Sequence, residues 1–338
     1  DRQHDDLQPG HLFGGRLRGS QDGHVIHPDH ATTTVDGVKQ RLVGASGLRV
    51  SDLGLGTGTW GVGTDAAEAQ VMLRMFRDAG GTLVDSSPAY NGGRAQDVLA
   101  AVLADAAVPR HEIVLSSSAG VVPDSPVGRR VDCSRRALMH QLDETLRVLG
   151  TDHLDLWSVG YWDERTPPAE VLDTLDWAVR TGRTRYAGVR DYAGWQLAVT
   201  ASPRVVATQH EYSLLARGIE EELIPAARHL GVGVIAAAPL AQGVLTGRYR
   251  SGQATGVRAE VHARLGYKAH TVVDALTTAA EGLDISPAVV ALAWARDRAG
   301  VASAVVGASH RGQLRELLTV ADTALPRAIV KALDDVSR

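Results

Sequence analysis

From Arg41 onward, short apolar runs alternate with longer segments whose apolar residues recur at helical spacing, the pattern of repeated βαβ units. The first run is Asp52-Leu-Gly-Leu-Gly56. A helix is predicted from about Asp65, with Met72, Met75, Phe76 and Ala79 as its buried stripe and Gly80-Gly81 as its stop. Thr82–Asp85, Ile113–Ser116 and Leu154–Val159 predict the next three strands. Between them, one helix is predicted across Ala95–Leu103. Another carries Leu138, Leu142, Leu146 and Leu149 on one face, with Ser134 as N-cap and Gly150 as stop. Pro167 opens a further helix at a position that tolerates proline. Strands at Tyr186–Val189, Val205–Thr208, Val232–Ala237 and Ala302–Val306 bring the number to eight. The accompanying helices fall near Tyr192–Ala201, Gly218–Leu230, Ala269–Ala299 (with a break) and Gln313–Val320.

Eight strand–helix repeats within about 280 residues predict an α/β fold of the (β/α)8 TIM-barrel type rather than an open sheet. No P-loop occurs, so one of the two glycine fingerprints of open nucleotide-binding sheets is missing; the other, G-x-G-x-x-G, is matched only by Gly56-Thr-Gly-Thr-Trp-Gly61. In such a barrel the strand ends face the C-terminal mouth, where chemistry sits. That singles out Gly56-Thr57, Asp85, Ser116–Ser118, Val159–Tyr161, Arg190-Asp191, Gln209, Ala237-Ala238 and Gly307.

Residues 1–38 break the pattern. They are polar and Gly-rich, hold His4, His11, His24, His27 and His30, and show no apolar period. We read them as a solvated tail ahead of one barrel domain, 39–338. His27-Pro-Asp-His30 could bind a metal, but a solvated tail is the better reading, so no metal site is assigned. Truncation to start near Val38 is expected to leave the melting temperature within a few degrees. Loss of soluble protein on truncation would show that the tail joins the core.

Composition changes this picture little. Of 338 residues, 44% are hydrophobic and 22% charged, values that suit a sizeable core. The net charge of −4 is spread along the chain with no basic block, which argues against nucleic acid as a partner. No apolar run approaches the ~18 residues of a membrane span, and no charged-then-apolar leader pattern opens the sequence, so a cytoplasmic location is expected. Cys133 is the single cysteine, which rules out an internal disulfide; it reads as a small filler beside a helix start. Only Lys39, Lys268 and Lys331 are lysines. Their scarcity becomes important at the mouth.

Four segments together resemble the aldo-keto reductase superfamily, in that family's order and over about residues 40–320. Arg41 to Thr57 resembles its opening strand. Val84-Asp-Ser-Ser-Pro-Ala-Tyr-Asn-Gly-Gly-Arg94 resembles its signature, with an aspartate and a tyrosine five residues apart. Pro239-Leu-Ala-Gln-Gly-Val-Leu-Thr-Gly-Arg-Tyr249 resembles the loop that covers the pyrophosphate, and Gly307-Ala-Ser-His-Arg-Gly-Gln-Leu-Arg-Glu316 the segment that holds the adenosine phosphate. The resemblance implies reduction of a carbonyl by NADP(H). It implies a tyrosine as general acid, a lysine that lowers its pKa, an aspartate that holds the lysine and a histidine that orients the carbonyl. On this sequence the aspartate is Asp85 and the tyrosine Tyr90, while Ser118 stands in the lysine's place and Gly160 in the histidine's.

The implied cofactor seat is rewritten as well. Arg190-Asp191 stand where a Ser-Asn pair holds the carboxamide, Ala237 where an aromatic stacks on the ring, and Ala238 where a serine follows it. Gln209 is kept. The resemblance further assigns Thr57, Leu240, Gly243, Arg248, Gly307, Ser309, Arg311, Gln313 and Glu316 to the dinucleotide, with Leu317 replacing an asparagine. Ser309, Arg311 and Arg248 are the groups suited to a 2′-phosphate. Tyr161, Trp162, Tyr192, Trp195 and His210 are available to line an altered pocket. The expected function is therefore an atypical NADP(H)-dependent oxidoreductase acting on a small carbonyl or alcohol. Two alternatives remain open: a barrel that binds a nucleotide or metabolite without turnover, and dehydration or isomerisation in the same cavity.

Overall fold

The computed structural model describes residues 37–105, 108–121, 131–248 and 266–338. The polar tail, His27-Pro-Asp-His30 and Tyr249 lie outside the described residues. Val38 already belongs to the barrel: it is buried, and its amide donates to Ala79 O at 2.9 Å.

A hairpin that sequence reasoning did not anticipate comes first, β1 (Gln40–Leu42) and β2 (Arg49–Ser51), with Gln40 opposite Ser51. Three-residue strands are too short to show an alternating pattern. Val43, Leu48 and Val50 of this hairpin pack against Leu83, Leu156, Ala207 and Ile235 from the barrel interior. The hairpin thus plugs one end of the barrel and leaves the other for chemistry.

Eight parallel strands follow: β3 (Leu53–Gly56), β4 (Leu83–Asp85), β5 (Val114–Ala119), β6 (Leu154–Gly160), β7 (Thr184–Arg190), β8 (Val205–Glu211), β9 (Gly233–Ala237) and β10 (Val301–Gly307). Each pairs with the next, and β10 pairs back onto β3, so the sheet closes. The register matters at the mouth. Asp85 lies opposite Ser116, Ser118 opposite Ser158, Gly160 opposite Arg190, and Arg190 opposite Gln209.

The surrounding helices are α1 (Ala66–Asp78), α2 (Arg94–Leu103), α3 (Arg135–Leu149), α4 (Pro168–Arg180), α5 (Gly194–Val199), α6 (Leu223–Leu230), α7 (Tyr267–Leu283), α8 (Pro287–Arg296), α9 (Arg311–Leu318) and α10 (Arg327–Ser337). Their ends follow local chemistry. Asp65 caps α1 through Glu68 N, Ser134 caps α3 through Ala137 N, and Gly150 closes α3 in the left-handed region. The break foreseen between Ala269 and Ala299 falls at Asp284, which is left-handed, and Ser286, whose side chain caps α8. Every residue of α8 after Pro287 is buried, so it shows no polar face for a periodicity to reveal.

Two predicted helices contract. The segment 218–230 divides into a 3₁₀ turn at Gly218–Glu220 and α6, and the one at 192–201 shortens to α5. The terminal helix α10 was not anticipated. Leu333 is its buried anchor, and Asp334 pairs with Arg217 at 3.2 Å and with Arg298 while accepting from Trp294 Nε1 at 3.1 Å. Among the described residues, no single helix is long and apolar enough to cross a membrane.

Candidate active site

Asp85 ends β4 at the C-terminal mouth with only 2% of its surface exposed. A carboxylate taken so far out of water needs partners for its charge and its lone pairs. Its Oδ1 accepts from Ser116 Oγ at 2.8 Å and from Arg190 Nη2. Its Oδ2 accepts from Gln209 Nε2 at 3.3 Å. Arg190 Nη2 also reaches Ser116 Oγ at 3.4 Å, so four side chains from β4, β5, β7 and β8 form one buried network. Burial works against the charge on Arg190, but Asp85, Tyr90 and Asp191 together outweigh it and hold its pKa above the ordinary arginine value. The backbone around Asp85 is fixed too: Thr57 N donates to Asp85 O and Ser86 N to Ser116 O, while Thr57 Oγ1 donates to Ser86 Oγ at 2.9 Å.

Tyr90 opens a 3₁₀ turn just beyond β4, its amide bonded to Ser87 O at 3.0 Å. The turn is tied down by Asn91, whose Nδ2 donates to Gly58 O at 3.0 Å and to Trp60 O at 2.8 Å. Burial, helped by the negative charge of Asp85, pushes the Tyr90 hydroxyl up to about 12, while Arg190 pulls it down through its charge and a hydrogen bond. Asn91 was not singled out from sequence. The available signal was the Asn91-Gly92-Gly93 run, since asparagine tolerates better than most residues the left-handed φ of 55° that it adopts there.

These groups surround a cavity of about 100 Å³ lined by Ser87, Tyr90, Ser118, Gly160, Tyr161, Arg190 and Asp191. Ser118 lies two residues beyond Ser116 on β5 and so on the same strand face; its Oγ donates to Ser87 Oγ at 3.1 Å. Behind Gly160, the buried thiol of Cys133 approaches Tyr161 O at 3.6 Å. Burial pushes that thiol up to about 12, leaving it protonated packing rather than a nucleophile. Gly120 has φ +107°, and a Cβ there would stand 2.6 Å from Gly160 O, so only glycine permits this close approach of β5 and β6.

The rim carries backbone strain that the sequence did not reveal. Tyr161, Asp191 and Ala238, each the first residue after a barrel strand, have φ of 69°, 54° and 48°. Non-glycine residues in this region cost on the order of 1–3 kcal/mol each and concentrate at functional sites. Tyr161 N and Asp191 N continue the ladder one step past the strands, bonding to Arg190 O and Gln209 O. Outside them, Trp162 packs edge-on against Tyr192 at 5.6 Å and Trp195 at 5.1 Å, forming an aromatic wall. His210 follows Gln209 on β8 and so takes the opposite strand face.

Beside β9 and β10 the loop over Ala241–Thr246 turns through left-handed Ala241, Gln242 and Gly243. A Cβ on Gly243 would meet nothing within 4 Å, so that backbone is open, as is the exposed Gly307. Leu240 is buried beneath it, and Arg248 is exposed. Ser309 N donates to Gln313 Oε1 at 2.8 Å, and Thr64 Oγ1 donates to Ser309 O at 2.9 Å. Arg311 forks onto Glu68, with Nε 2.9 Å from Oε2, and its hydrogen bonds lower the Glu68 carboxyl to about 2. Glu316 is exposed on α9. The residues assigned by resemblance therefore fall into two groups: Tyr90, Ser118, Gly160, Arg190 and Asp191 line one cavity, with Asp85 and Gln209 joined to it through Arg190 and Thr57 beside Asp85, and the rest lie toward β9 and β10. Arg190 is the surprise. In place of a carboxamide contact, its guanidinium is committed to Asp85.

A closed parallel barrel with a buried polar network at its C-terminal mouth defines the class of (β/α)8 proteins that keep their site on the strand ends. Residues 52–338 match the Aldo/keto reductase family. The chain belongs to that family. It is 32% identical over 308 residues to the uncharacterized oxidoreductase YrpG of Bacillus subtilis, covering 87% of this chain and 94% of that protein. It is 31% identical over 308 residues to the protein tas of Escherichia coli, covering 80% and 89%. It is also 28% identical over 316 residues to a probable voltage-gated potassium channel subunit beta of Oryza sativa subsp. japonica, covering 88% and 95%.

Proposed function

We propose that this protein is an atypical NADP(H)-dependent oxidoreductase acting on a small carbonyl or alcohol compound at the cavity beneath Tyr90. The observation that carries the reading is that Tyr90, Ser118 and Gly160 line one cavity with Arg190, whose guanidinium is bound by Asp85, in a chain of this family. The tetrad is incomplete, because Ser118 and Gly160 occupy the lysine and histidine places. The dinucleotide fits unevenly. The left-handed backbone at Gln242-Gly243 leaves room for a pyrophosphate, since a Cβ on Gly243 would meet nothing within 4 Å, although the Gly243 amide is already given to Leu240 O at 2.9 Å. The nicotinamide end offers Ala237 and Ala238 in place of a ring and a hydroxyl. Leu240, Gly243, Gly307, Ser309, Gln313 and Glu316 would hold the phosphate and adenosine portion, with Thr57 and Gln209 beside the ring.

When bound, NADPH supplies a hydride to a carbonyl carbon. The residues of this chain supply the rest. Tyr90 Oη holds the proton that the reduced oxygen takes up, and because its pKa lies near 12 that proton stays in place through neutral and mildly alkaline pH. It is a reluctant donor. General acid catalysis contributes most when the acid's pKa lies near the working pH, typically ~10²–10⁴ in rate, so turnover is expected to be slow.

The test is titration of NADPH and NADH fluorescence, followed by a panel of reactive aldehydes and ketones. Binding with consumption supports the reading; no binding of either dinucleotide defeats it. Binding without consumption selects the second reading, a non-catalytic binding barrel. Both the tightly held Tyr90 proton and the similarity to a protein named as a channel subunit favour that second reading.

Arg311→Ala gives a finer check. Its guanidinium must leave Glu68 to meet a 2′-phosphate, and a charge-assisted contact of this kind is worth roughly tenfold in affinity. NADPH binding is expected to weaken by about that factor with NADH unchanged. Equal losses for both dinucleotides would assign Arg311 to the fold alone.

A further inference from the structure

We propose that Arg190 replaces, from across the barrel, the lysine that the family carries in the place of Ser118, so that one guanidinium on β7 is the cation that holds Asp85 and faces Tyr90. The proposal rests on the reading of the mouth as a reductase site.

The geometry accounts for three sequence departures as one compensated change. Ser118 on β5 and Gly160 on β6 lie between Asp85 on β4 and Arg190 on β7. Both are small, and both line the cavity that Arg190 also lines. A Cβ placed on Gly160 would already stand 4.0 Å from Arg190 Cβ, so a histidine there would compete for the space the arginine crosses. Losing the lysine removes a cation from the third barrel strand, and losing the histidine clears a path past the fourth. The arginine brings the cation back from the fifth.

Charge makes the same point. Asp85 is 2% exposed, and the guanidinium that answers it is 8% exposed. A lysine at position 118 as well as Arg190 would place two cations on one buried carboxylate. The charged and titratable groups facing Tyr90 are Asp85 from β4, Arg190 at the end of β7 and Asp191 just after it. Arginine does not lose its proton in proteins, whereas a partly buried lysine does. The relocated cation therefore cannot switch off as pH rises. Arg190 acts through Asp85 and Tyr90, and is in that sense a positioning residue.

The experiment compares wild type, Ser118→Lys, Arg190→Ser, Arg190→Lys and the pair Ser118→Lys/Arg190→Ser. Thermal unfolding is the first readout, independent of activity. Ser118→Lys alone is expected to lower the melting temperature by about 5 °C or more, and Arg190→Ser alone to do the same. In the Arg190→Ser background, Ser118→Lys is expected to raise it. That change of sign is the signature of one shared cation site. Additive losses, or an Arg190→Ser protein as stable as wild type, would overturn the proposal. If Arg190→Ser is insoluble, a soluble double variant supports it and an insoluble one overturns it.

Reduction of a reactive aldehyde is the second readout. Arg190→Ser is expected to lose about 10²-fold in kcat/KM, Arg190→Lys to keep part of it, and the double variant to regain about tenfold over Arg190→Ser. The double variant, alone with Arg190→Lys, should gain an alkaline limb in its pH profile as the lysine deprotonates. Wild type that turns over nothing would defeat the reductase reading, while the sign of the thermal coupling would still judge the place of Arg190.

Discussion

Asp85→Ala is expected to cost about 3–5 kcal/mol of stability and to abolish carbonyl reduction. Removing the carboxylate leaves the Arg190 guanidinium buried without its hydrogen-bonded counter-charge, and breaking one partner of a buried pair typically carries a penalty of this size. Ser116 Oγ and Gln209 Nε2 lose their acceptor at the same time. The double substitution Asp85→Leu/Arg190→Met fills similar volume without charge. It is expected to recover most of the stability and none of the activity, because buried ion pairs are often replaced by apolar residues at little cost. Urea unfolding of the three proteins, with aldehyde reduction measured alongside, separates the two roles. A double variant as unstable as the single one would show that the network's hydrogen bonds, rather than its charges, hold the mouth.

Rebuilding the lost residues is expected to fail at the first stage and to succeed only at the second. Ser118→Lys with Gly160→His should restore little reduction, since Arg190 already occupies the cation site and the nicotinamide seat lacks its clamp and stacking ring. Misplacing a reacting group by about an ångström costs on the order of 10²-fold. Adding Arg190→Ser, Asp191→Asn and Ala237→Tyr clears the competing cation and rebuilds the seat. The five-fold variant is expected to exceed the double variant by about 10²-fold, and strongly non-additively. A three-fold variant, Ser118→Lys/Gly160→His/Arg190→Ser, apportions the gain. Recovery at that stage assigns the obstacle to the second cation, and recovery only with all five assigns it to the ring's seat. Robust reduction by the wild type would falsify the idea of an incomplete site altogether.

The sequence by itself determined the barrel. Alternating strand and helix periods are written locally, one face at a time, and the stripe of α1 or the leucines of α3 needs nothing distant to be read. Where a helix is buried all round, as α8 is, the period vanishes and only the cap at Ser286 and the break at Asp284 locate it. Where strands are three residues long, as in β1 and β2, no period can form, and the plug at the closed end of the barrel went unseen. The helix α10 left a weak trace in Pro326 and Leu333, and the partners of its Asp334, Arg217 and Arg298, lie on other segments of the chain.

The site divides along the same line. Asp85 and Tyr90 lie five residues apart, and their shared place was legible because one strand end and one turn carry both. Position in sequence also marked Ser118, Gly160 and Arg190 as strand ends. What Arg190 does was decided by closure. Residues 85 and 190 are 105 positions apart and meet only because the barrel turns β7 back toward β4. Arg190 was read as a substitution in the cofactor's seat because a strand-end position fixes where a side chain starts and says nothing of where a long one finishes. Burial of Asp85 supplied the missing term. A carboxylate removed from water takes the nearest cation its neighbours can deliver, and only the folded barrel shows that the nearest one comes from the fifth strand.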